Sequence, residues 1–175
     1  MPRATALQVE VVRSARRRKT VSARQVDGVL RISIPAGMSP TEEVHWVAEM
    51  SRRFERRNRT EAVDLAERAA LLARRYGLPA PSSIRWVDNQ QARWGSCTPT
   101  DGSIRVSSRL AAFPGWVLDH VIVHELAHLV EPGHGPAFQT LVARHPKGER
   151  AIGFLIAKGM DGDEPDVGAE GGSEA

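Results

Sequence analysis

The chain has 175 residues, the length of one compact domain rather than two. No stretch has the apolar length of a signal peptide or a membrane span, and the single cysteine, Cys97, excludes an intramolecular disulfide. We therefore expect a soluble cytoplasmic protein with no membrane partner, because disulfides are rare in reducing compartments.

Charge is distributed unevenly along the chain. The formal net charge is +3, and the rest of the chain outside residues 161–175 holds 24 basic against 15 acidic residues. Many basic residues fall early, between Arg13 and Arg24, where they could attract nucleic-acid phosphates. Because no aromatic residue is interleaved for base stacking, we favour a solvated turn over a nucleic-acid partner. The acidic end contains Asp161, Asp163, Glu164, Asp166, Glu170 and Glu174.

The first part of the chain, residues 1–37, is predicted to be a β-hairpin region. Residues 6–12 and 29–34 alternate apolar and polar side chains, which is typical of strands with one buried face. The basic run and the turn pair Asp27 and Gly28 lie between these segments. The pattern therefore predicts two antiparallel strands.

Two helices are predicted next. Ser39 supplies a capping hydroxyl and is followed by proline and two glutamates, so we expect a helix over residues 40–58. A second helix over residues 60–76 is expected to begin at Thr60, present an apolar band at helical spacing, and end before Gly77. Neither helix carries residues with evident chemistry.

The sequence pattern of the second half of the chain predicts another small sheet and a buried helix. The runs SSIRWVDN and SIRVSS favour two strands paired as a hairpin, with Trp94–Cys97 between them. From Trp116 the run VLDHVIVHELAHLV is apolar at nearly every position, which predicts a helix buried on most sides. Further helices are expected over residues 136–145 and before Gly159. For residues 161–175, rich in glycine and acids, we predict disorder.

The buried helix carries the polar residues that indicate function. In the run HELAH the histidines His124 and His128 are four positions apart, so both imidazoles lie on one helical face and could reach one ion. Glu125 is adjacent to the first histidine, where it could accept a proton from water without binding the metal. Buried polar side chains without partners are costly, so a chance match of this motif is disfavoured.

A catalytic tetrahedral site needs three protein ligands and one open position, and His134 is the candidate for the third ligand. We expect Pro132 to end the helix and Gly133 to allow a left-handed turn that returns His134 to the ion. Three neutral imidazoles favour zinc (Zn2+) over calcium or magnesium, which prefer oxygen ligands. Zinc would lower the pKa of water toward about 7, and with Glu125 as general base the expected reaction is peptide hydrolysis.

The motifs RWGSC, IRVSSRL and VIVHELAHLVEPGHGPAF resemble the YgjP-like metallopeptidase family, which is related in its motif to SprT-like zinc proteins. The resemblance covers residues 1–160 as one domain, with the hairpin region 1–37 and a helical, metal-binding core over 40–160, and leaves out the acidic tail 161–175. It implies an α+β, zincin-like metallopeptidase core with a small antiparallel sheet and an active-site helix carrying HExxH. It also implies a catalytic Glu125 and zinc bound by His124, His128 and His134.

Other polar residues near the motif have less definite roles. His120 lies one turn before His124, and we favour simple packing over contact with a ligand or substrate. Asp119 and Glu131 are alternatives for accepting the second N–H of a ligand imidazole. Cys97 is a fourth zinc ligand, an inhibitory ligand or, as we favour, a small buried hydrophobe.

Five further residues near the motif or elsewhere in the chain have simpler predicted roles. Arg93 and Trp94 belong to the RWGSC motif and could line the cleft, although we favour a structural role for Trp94, as an anchor of the sheet on the helix. His45 and His145 have no partner spacing, so we expect both on the surface. Met160 follows a predicted helix and is expected to have no role beneath the metal.

The favoured function is a zinc-dependent metallopeptidase acting on a peptide or protein substrate. The alternative is a non-catalytic, zinc-stabilised binding module. Its partners could include nucleic acid, bound through the basic segment. The two hypotheses give different expectations for Glu125→Gln. The substitution should abolish hydrolysis in a peptidase and leave the function of a binding module unchanged. The sequence defines neither the substrate nor the oligomeric state.

Overall fold

The computed structural model describes residues 7–90 and 92–159. The chain divides into two compact units, Met1–Asn58 and Arg59–Ala175. None of the described helices combines the length and the apolarity needed to span a membrane.

The predictions for Met160 and for the acidic tail, residues 161–175, concern positions outside the described part of the chain. The assignment of residues 1–160 to one domain stays a prediction.

The elements are those of an α+β protein, as predicted. A short 3-10 helix, Ser108–Ala112, precedes the third α-helix. In chain order the strands and helices are β1 (Val9–Ser14), β2 (Ser22–Val26), β3 (Val29–Pro35), α1 (Pro40–Glu61), α2 (Leu65–Tyr76), β4 (Ser83–Val87), β5 (Gly95–Thr98), β6 (Ser103–Ser107), α3 (Gly115–Ala127), α4 (Pro136–Val142) and α5 (Gly148–Gly159).

The first unit is built on a three-stranded sheet in the order β1-β3-β2. The central strand β3 turns Leu30, Ile32 and Ile34 inward, and none of the three has exposed surface. Their spacing of two residues is the side-chain period of a strand. Apolar residues of α1, including Met50 and Phe54, pack against them and close this small core.

The pairing of these strands differs from the prediction. β1 and β3 are parallel, with Val9 opposite Leu30, so the predicted antiparallel pair is wrong. β3 instead forms a hairpin with β2. The strand β2 was not predicted, because its sequence, SARQV, lies partly in the basic run and lacks apolar alternation. Asp27 and Gly28 form its turn with φ of 51° and 82°, the two positive values that a type I′ turn requires.

The second unit contains a sheet of the same connectivity, in the order β4-β6-β5. β4 is parallel to β6, so the hairpin predicted between these two strands is wrong. The antiparallel partner of β6 is β5, which comes from the WGSC segment, and Gly102 has φ of 70° in the turn between them. β5 is therefore an edge strand of this sheet.

The first two helices begin at capping residues. Ser39 Oγ accepts a hydrogen bond from the Glu42 backbone N–H at 3.3 Å, and the Glu42 carboxylate accepts one from the Ser39 N–H at 3.0 Å. The helix α1 continues past Thr60, so the predicted start of α2 there is wrong. Asp64 caps α2 instead, and α2 ends as predicted at Gly77, which is left-handed with φ of 63°.

The helix α3 lies in the core of the second unit. Nine of its 13 residues are buried, which confirms the predicted burial on most sides. Apolar residues of α3 pack with Leu72 of α2, Ile104 of β6 and Leu155 of α5. The same packing encloses two polar residues of α3, His120 and Glu125. Since buried polar groups are costly, these two require a structural or chemical reason.

Candidate metal centre

His124, His128 and His134 bring three imidazoles together. One ring nitrogen of each lies within 4.8 Å of the others. The Nε2 atoms of His124 and His134 are 3.4 Å apart. Two nitrogens bound to one tetrahedral zinc ion at roughly 2.0–2.1 Å lie about 3.3 Å apart. The imidazole donors, and the separation of this one pair, therefore suit a tetrahedral divalent metal ion.

The end of α3 places two of these rings side by side. His124 lies in the last turn, and His128 caps the helix, with its backbone N–H donating to the His124 carbonyl at 3.3 Å. Their ring centroids are 4.9 Å apart. The four-residue spacing thus brings both side chains to one face, as helix geometry predicts.

The chain reaches His134 by a route that differs from the prediction. α3 ends at Ala127, several residues before Pro132, and the backbone of Gly133 is not left-handed. Instead, the Ala127 carbonyl accepts bonds from two later backbone N–H groups, including that of Glu131 at 2.9 Å. The helix therefore unwinds through hydrogen-bonded turns before the loop that carries the third histidine.

Phe138, in the first turn of α4, packs against all three imidazoles. Its ring centroid lies 4.8 Å from that of His124, 4.4 Å from that of His128, and 4.8 Å from that of His134. Phe138 is 1% exposed. An apolar wall of this kind restricts the rotation of the rings, and only the family motif had indicated Phe138 in the sequence.

A backbone carbonyl orients His128. Nδ1 of His128 lies 3.2 Å from the Glu131 carbonyl oxygen, so Nδ1–H donates there and Nε2 is left for a metal. Asp119, the other predicted acceptor, receives a hydrogen bond from Arg68 Nε at 2.6 Å. Glu131 therefore serves through its main chain, and the Asp119 carboxylate is engaged with a cation.

Glu125 is 6% exposed and lines the same cavity as the three histidines. Burial raises the pKa of its carboxyl to about 8, and the positive charge of Arg93 opposes this rise. A Cβ atom added to Gly95 would lie 2.5 Å from Glu125 Oε1 and 2.9 Å from its carboxyl carbon. The strand β5 therefore begins with glycine because the Glu125 carboxylate occupies the place of a side chain.

The surroundings of the imidazoles favour their neutral forms. Burial, followed by the neighbouring histidines, lowers the pKa of His124 to about 3. Burial also lowers the pKa of His128, although the hydrogen bond to the Glu131 carbonyl opposes it. Metals bind neutral imidazole, so both rings are held in the form that a ligand needs.

One cavity of about 710 Å³ contains these groups. This volume falls within the usual range of ligand pockets, roughly 300–1,000 Å³. Arg93 lines it and is exposed, in agreement with the cleft-lining alternative. Trp94 packs on Phe113 with ring centroids 5.3 Å apart and carries the Arg109 guanidinium 4.1 Å from its ring centroid. Trp94 also packs against the apolar core of the second unit and lines the cavity, so the structure agrees with both alternatives for it.

Two further histidines are buried near the site. His120 is 4% exposed, and its ring centroid lies 6.4 Å from that of His124. His145 is 5% exposed, so its predicted surface position is wrong. Its ring packs against those of Tyr76 at 5.9 Å and His120 at 5.8 Å. His45 is exposed, as expected.

Cys97 lines the cavity and packs partly against the apolar core of the second unit. Burial, with the charge of Glu125 as the next cause, raises the pKa of its thiol to about 11. Within residues 7–90 and 92–159, the group of side chains close enough to share an ion consists of the three histidines, without Cys97. Cys97 is half-buried rather than fully buried as predicted, and its packing on the core agrees with an apolar role.

A helix that presents two histidines and a glutamate beside a third histidine is typical of metallopeptidases. The family model described as YgjP-like, metallopeptidase domain, matches residues 17–150. The chain therefore belongs to the YgjP-like metallopeptidase family and is a hydrolase. The small sheet packed on the HExxH helix agrees with the predicted zincin-like core, and membership implies a divalent metal, for which the three histidines are the candidate ligands.

Comparison with solved structures gives two weak similarities. The metallopeptidase zymogen of Pyrococcus abyssi abylysin is 20% identical, with a TM-score of 0.47 over 53% of this chain and 91% of that chain. The metallopeptidase zymogen of Methanocaldococcus jannaschii jannalysin is 17% identical, with a TM-score of 0.48 over 55% and 97%, respectively. No curated protein sequence matches the chain.

Proposed function

We propose that the chain is a zinc-dependent peptidase in which His124, His128 and His134 bind the metal and Glu125 is the general base. One observation carries the proposal: three imidazole nitrogens within 4.8 Å of one another share a cavity with a buried glutamate. Three ligands leave a fourth position open, as a catalytic zinc site requires.

Each residue at the site has a distinct role in the proposed hydrolysis. A bound zinc ion would supply Lewis acidity to the substrate carbonyl and to water. A divalent cation beside the Glu125 carboxyl would favour its ionised form over the protonated form that burial alone favours. In the ionised form, Glu125 accepts a proton from the attacking water and returns it to the leaving amine. Its position against Gly95 fixes the carboxylate, and the Glu131 carbonyl fixes the tautomer of His128. Phe138 holds the rings in place and keeps water from their apolar side.

The proposed substrate is a peptide or an unfolded segment of a protein, bound in the cavity beside β5. The proposed location is the cytoplasm, since the lone Cys97 has no disulfide partner in the chain.

A zinc-stabilised binding module is the less favoured alternative. A structural zinc site is normally closed by a fourth protein ligand, and Cys97 does not join the three histidines. The basic segment is also partly engaged within its own unit, because Arg13 donates hydrogen bonds to the carbonyls of Ala36 and Met38. A nucleic-acid partner therefore stays a prediction, to be tested by DNA binding that weakens steeply with salt.

The test is peptide hydrolysis by the zinc-loaded protein and by Glu125→Gln, followed by mass spectrometry of a peptide library. We expect kcat to fall by about 10²- to 10⁴-fold in Glu125→Gln, the usual contribution of a general base. Glu149→Gln, at an exposed glutamate on α5 outside the cavity lining, is the matched control and should cleave normally. Equal cleavage by Glu125→Gln and the wild type would contradict the role of Glu125.

A further inference from the structure

The cavity extends beyond the three histidines along one face of α5. Ile152, Leu155 and Ile156 line it. They follow Gly148 by four, seven and eight residues, a spacing that puts all four on one helical face. Ile152 is 47% exposed and Ile156 is 44% exposed. Two large apolar side chains are thus open to a cavity rather than buried in the core.

This face of α5 adjoins the candidate metal centre. A Cβ atom added to Gly148 would lie 3.6 Å from His120 Nδ1, so the start of α5 contacts α3 one turn before His124. Both His120 and His124 also line the cavity. The apolar face and the candidate ligands are therefore walls of one cavity, and a molecule at the metal would lie next to α5.

The chemistry of the cavity changes from one side to the other. Arg93 and Glu125, the charged residues among its described lining, belong to the β5 side, where Glu125 meets Gly95. From α4 and α5 the lining residues are uncharged, and Val121 of α3 adds a further apolar surface. A charged group placed against α5 would lose its water without gaining a partner. An apolar group would lose nothing and would cover the exposed isoleucines.

We propose that the α5 face, formed by Ile152, Leu155 and Ile156, is a specificity pocket for a large aliphatic or aromatic side chain next to the scissile bond. This inference rests on the proposed function, because the peptidase reaction supplies the occupant: a peptide whose carbonyl is at the metal has its neighbouring side chains within reach of α5. The pocket selects substrates by excluding charge and burying apolar surface.

Binding can be measured apart from catalysis. The experiment uses zinc-loaded Glu125→Gln protein and fluorescein-labelled peptides of Ser, Gly and Ala that differ at one central residue, Leu or Glu. Fluorescence anisotropy should show the Leu peptide binding at least about ten-fold more tightly, since differences of this size arise from one apolar contact in a pocket.

Two variants and a control assign that preference to α5. Ile152→Glu and Ile156→Glu, each in the Glu125→Gln background, should remove the preference for the Leu peptide. Leu71→Glu is the matched control, because Leu71 is 49% exposed on α2 and does not line the cavity. It should keep the preference. Thermal unfolding of each variant shows whether it is folded, and half-exposed positions should tolerate the change.

Two results would overturn the pocket: equal binding of the Leu and Glu peptides, or a Leu preference that survives both isoleucine variants. The active protein separates this inference from the proposed function. Cleavage of a peptide library without apolar enrichment at either residue flanking the cut bond would refute the pocket and leave the peptidase intact. A Leu preference in binding, with no cleavage by the wild type under any zinc concentration, would support the pocket and refute the peptidase assignment.

Discussion

The two sheets of this molecule have one topology and two different surroundings. In each sheet the first strand is parallel to the third, and the second and third strands form a hairpin across an Asp-Gly turn. The helix that packs on the first sheet, α1, has no buried residue. Beside the second sheet, α3 has nine of its 13 residues buried, Glu125 among them.

Strand topology alone does not make the candidate site. β2 and β5 occupy equivalent edge positions, yet β5 begins with Gly95, where the Glu125 carboxylate fills the place of a side chain. The glutamates of α1 remain near water, and hydrogen bonds to Ser39 lower the pKa of Glu42. The pKa of Glu125 instead rises with burial. Burial of the helix, not the sheet, changes the chemistry of its carboxylate.

The largest expected effects come from the two sheet cores. Ile32→Ala in β3 and Ile104→Ala in β6 each remove a buried side chain, at a cost of about 2–5 kcal/mol in the free energy of unfolding. The three imidazoles belong to the second unit, so zinc should stabilise that unit and not the first. Added zinc should therefore raise the melting temperature of the destabilised unit in Ile104→Ala more than that of the destabilised unit in Ile32→Ala. Calorimetry with and without zinc measures both. An equal rise in melting temperature for the two variants would show that zinc does not stabilise the second unit separately from the first.

A second comparison concerns glycines of the two units. Gly95→Ala would force its Cβ against the Glu125 carboxylate, and a displacement of about 1 Å in a catalytic group can cost about 10²-fold. We expect kcat to fall by that order while the zinc content stays constant. Gly37→Ala is the matched control, since its Cβ would meet no atom within 4 Å. Full activity in Gly95→Ala would show that the carboxylate moves aside without consequence.

The smallest effect is expected at Glu131. Its carbonyl, not its carboxylate, accepts the hydrogen bond from His128 Nδ1. Glu131→Ala keeps that carbonyl, so kcat/KM and zinc affinity should change far less than the roughly 10- to 100-fold typical of losing such a partner. Zinc titration and steady-state kinetics measure the two quantities. A ten-fold loss would mean that the carboxylate has a role of its own.

Local patterns predicted the helices and the HExxH face, because their causes lie within a few residues. The Ser39 cap, the left-handed Gly77 and the four-residue spacing of His124 and His128 act through short-range geometry. Family membership then confirmed the metallopeptidase class that these residues indicated. The roles of individual residues in binding zinc and moving protons stay predictions.

Features that depend on distant contacts were not predictable in the same way. β1 and β3 pair in parallel. The alternation of side chains identifies each strand but does not say whether two strands run parallel or antiparallel. His145 is buried by Tyr76 and His120, neither of which is near it in sequence. The RWGSC motif contained Gly95, but the reason for glycine there is a contact with Glu125 on another element.

The proposed chemistry depends on three histidines that hold one metal ion beside a glutamate that does not bind it. The most direct test is the zinc content of purified protein by mass spectrometry, for the wild type, His134→Ala, Glu125→Gln and the exposed control His45→Ala. We expect about one zinc per chain in the wild type, Glu125→Gln and His45→Ala, and much less in His134→Ala. Equal zinc in His134→Ala and the wild type would show that His134 is not a ligand. No zinc in the wild type after zinc is supplied would show that the three histidines do not form a metal site.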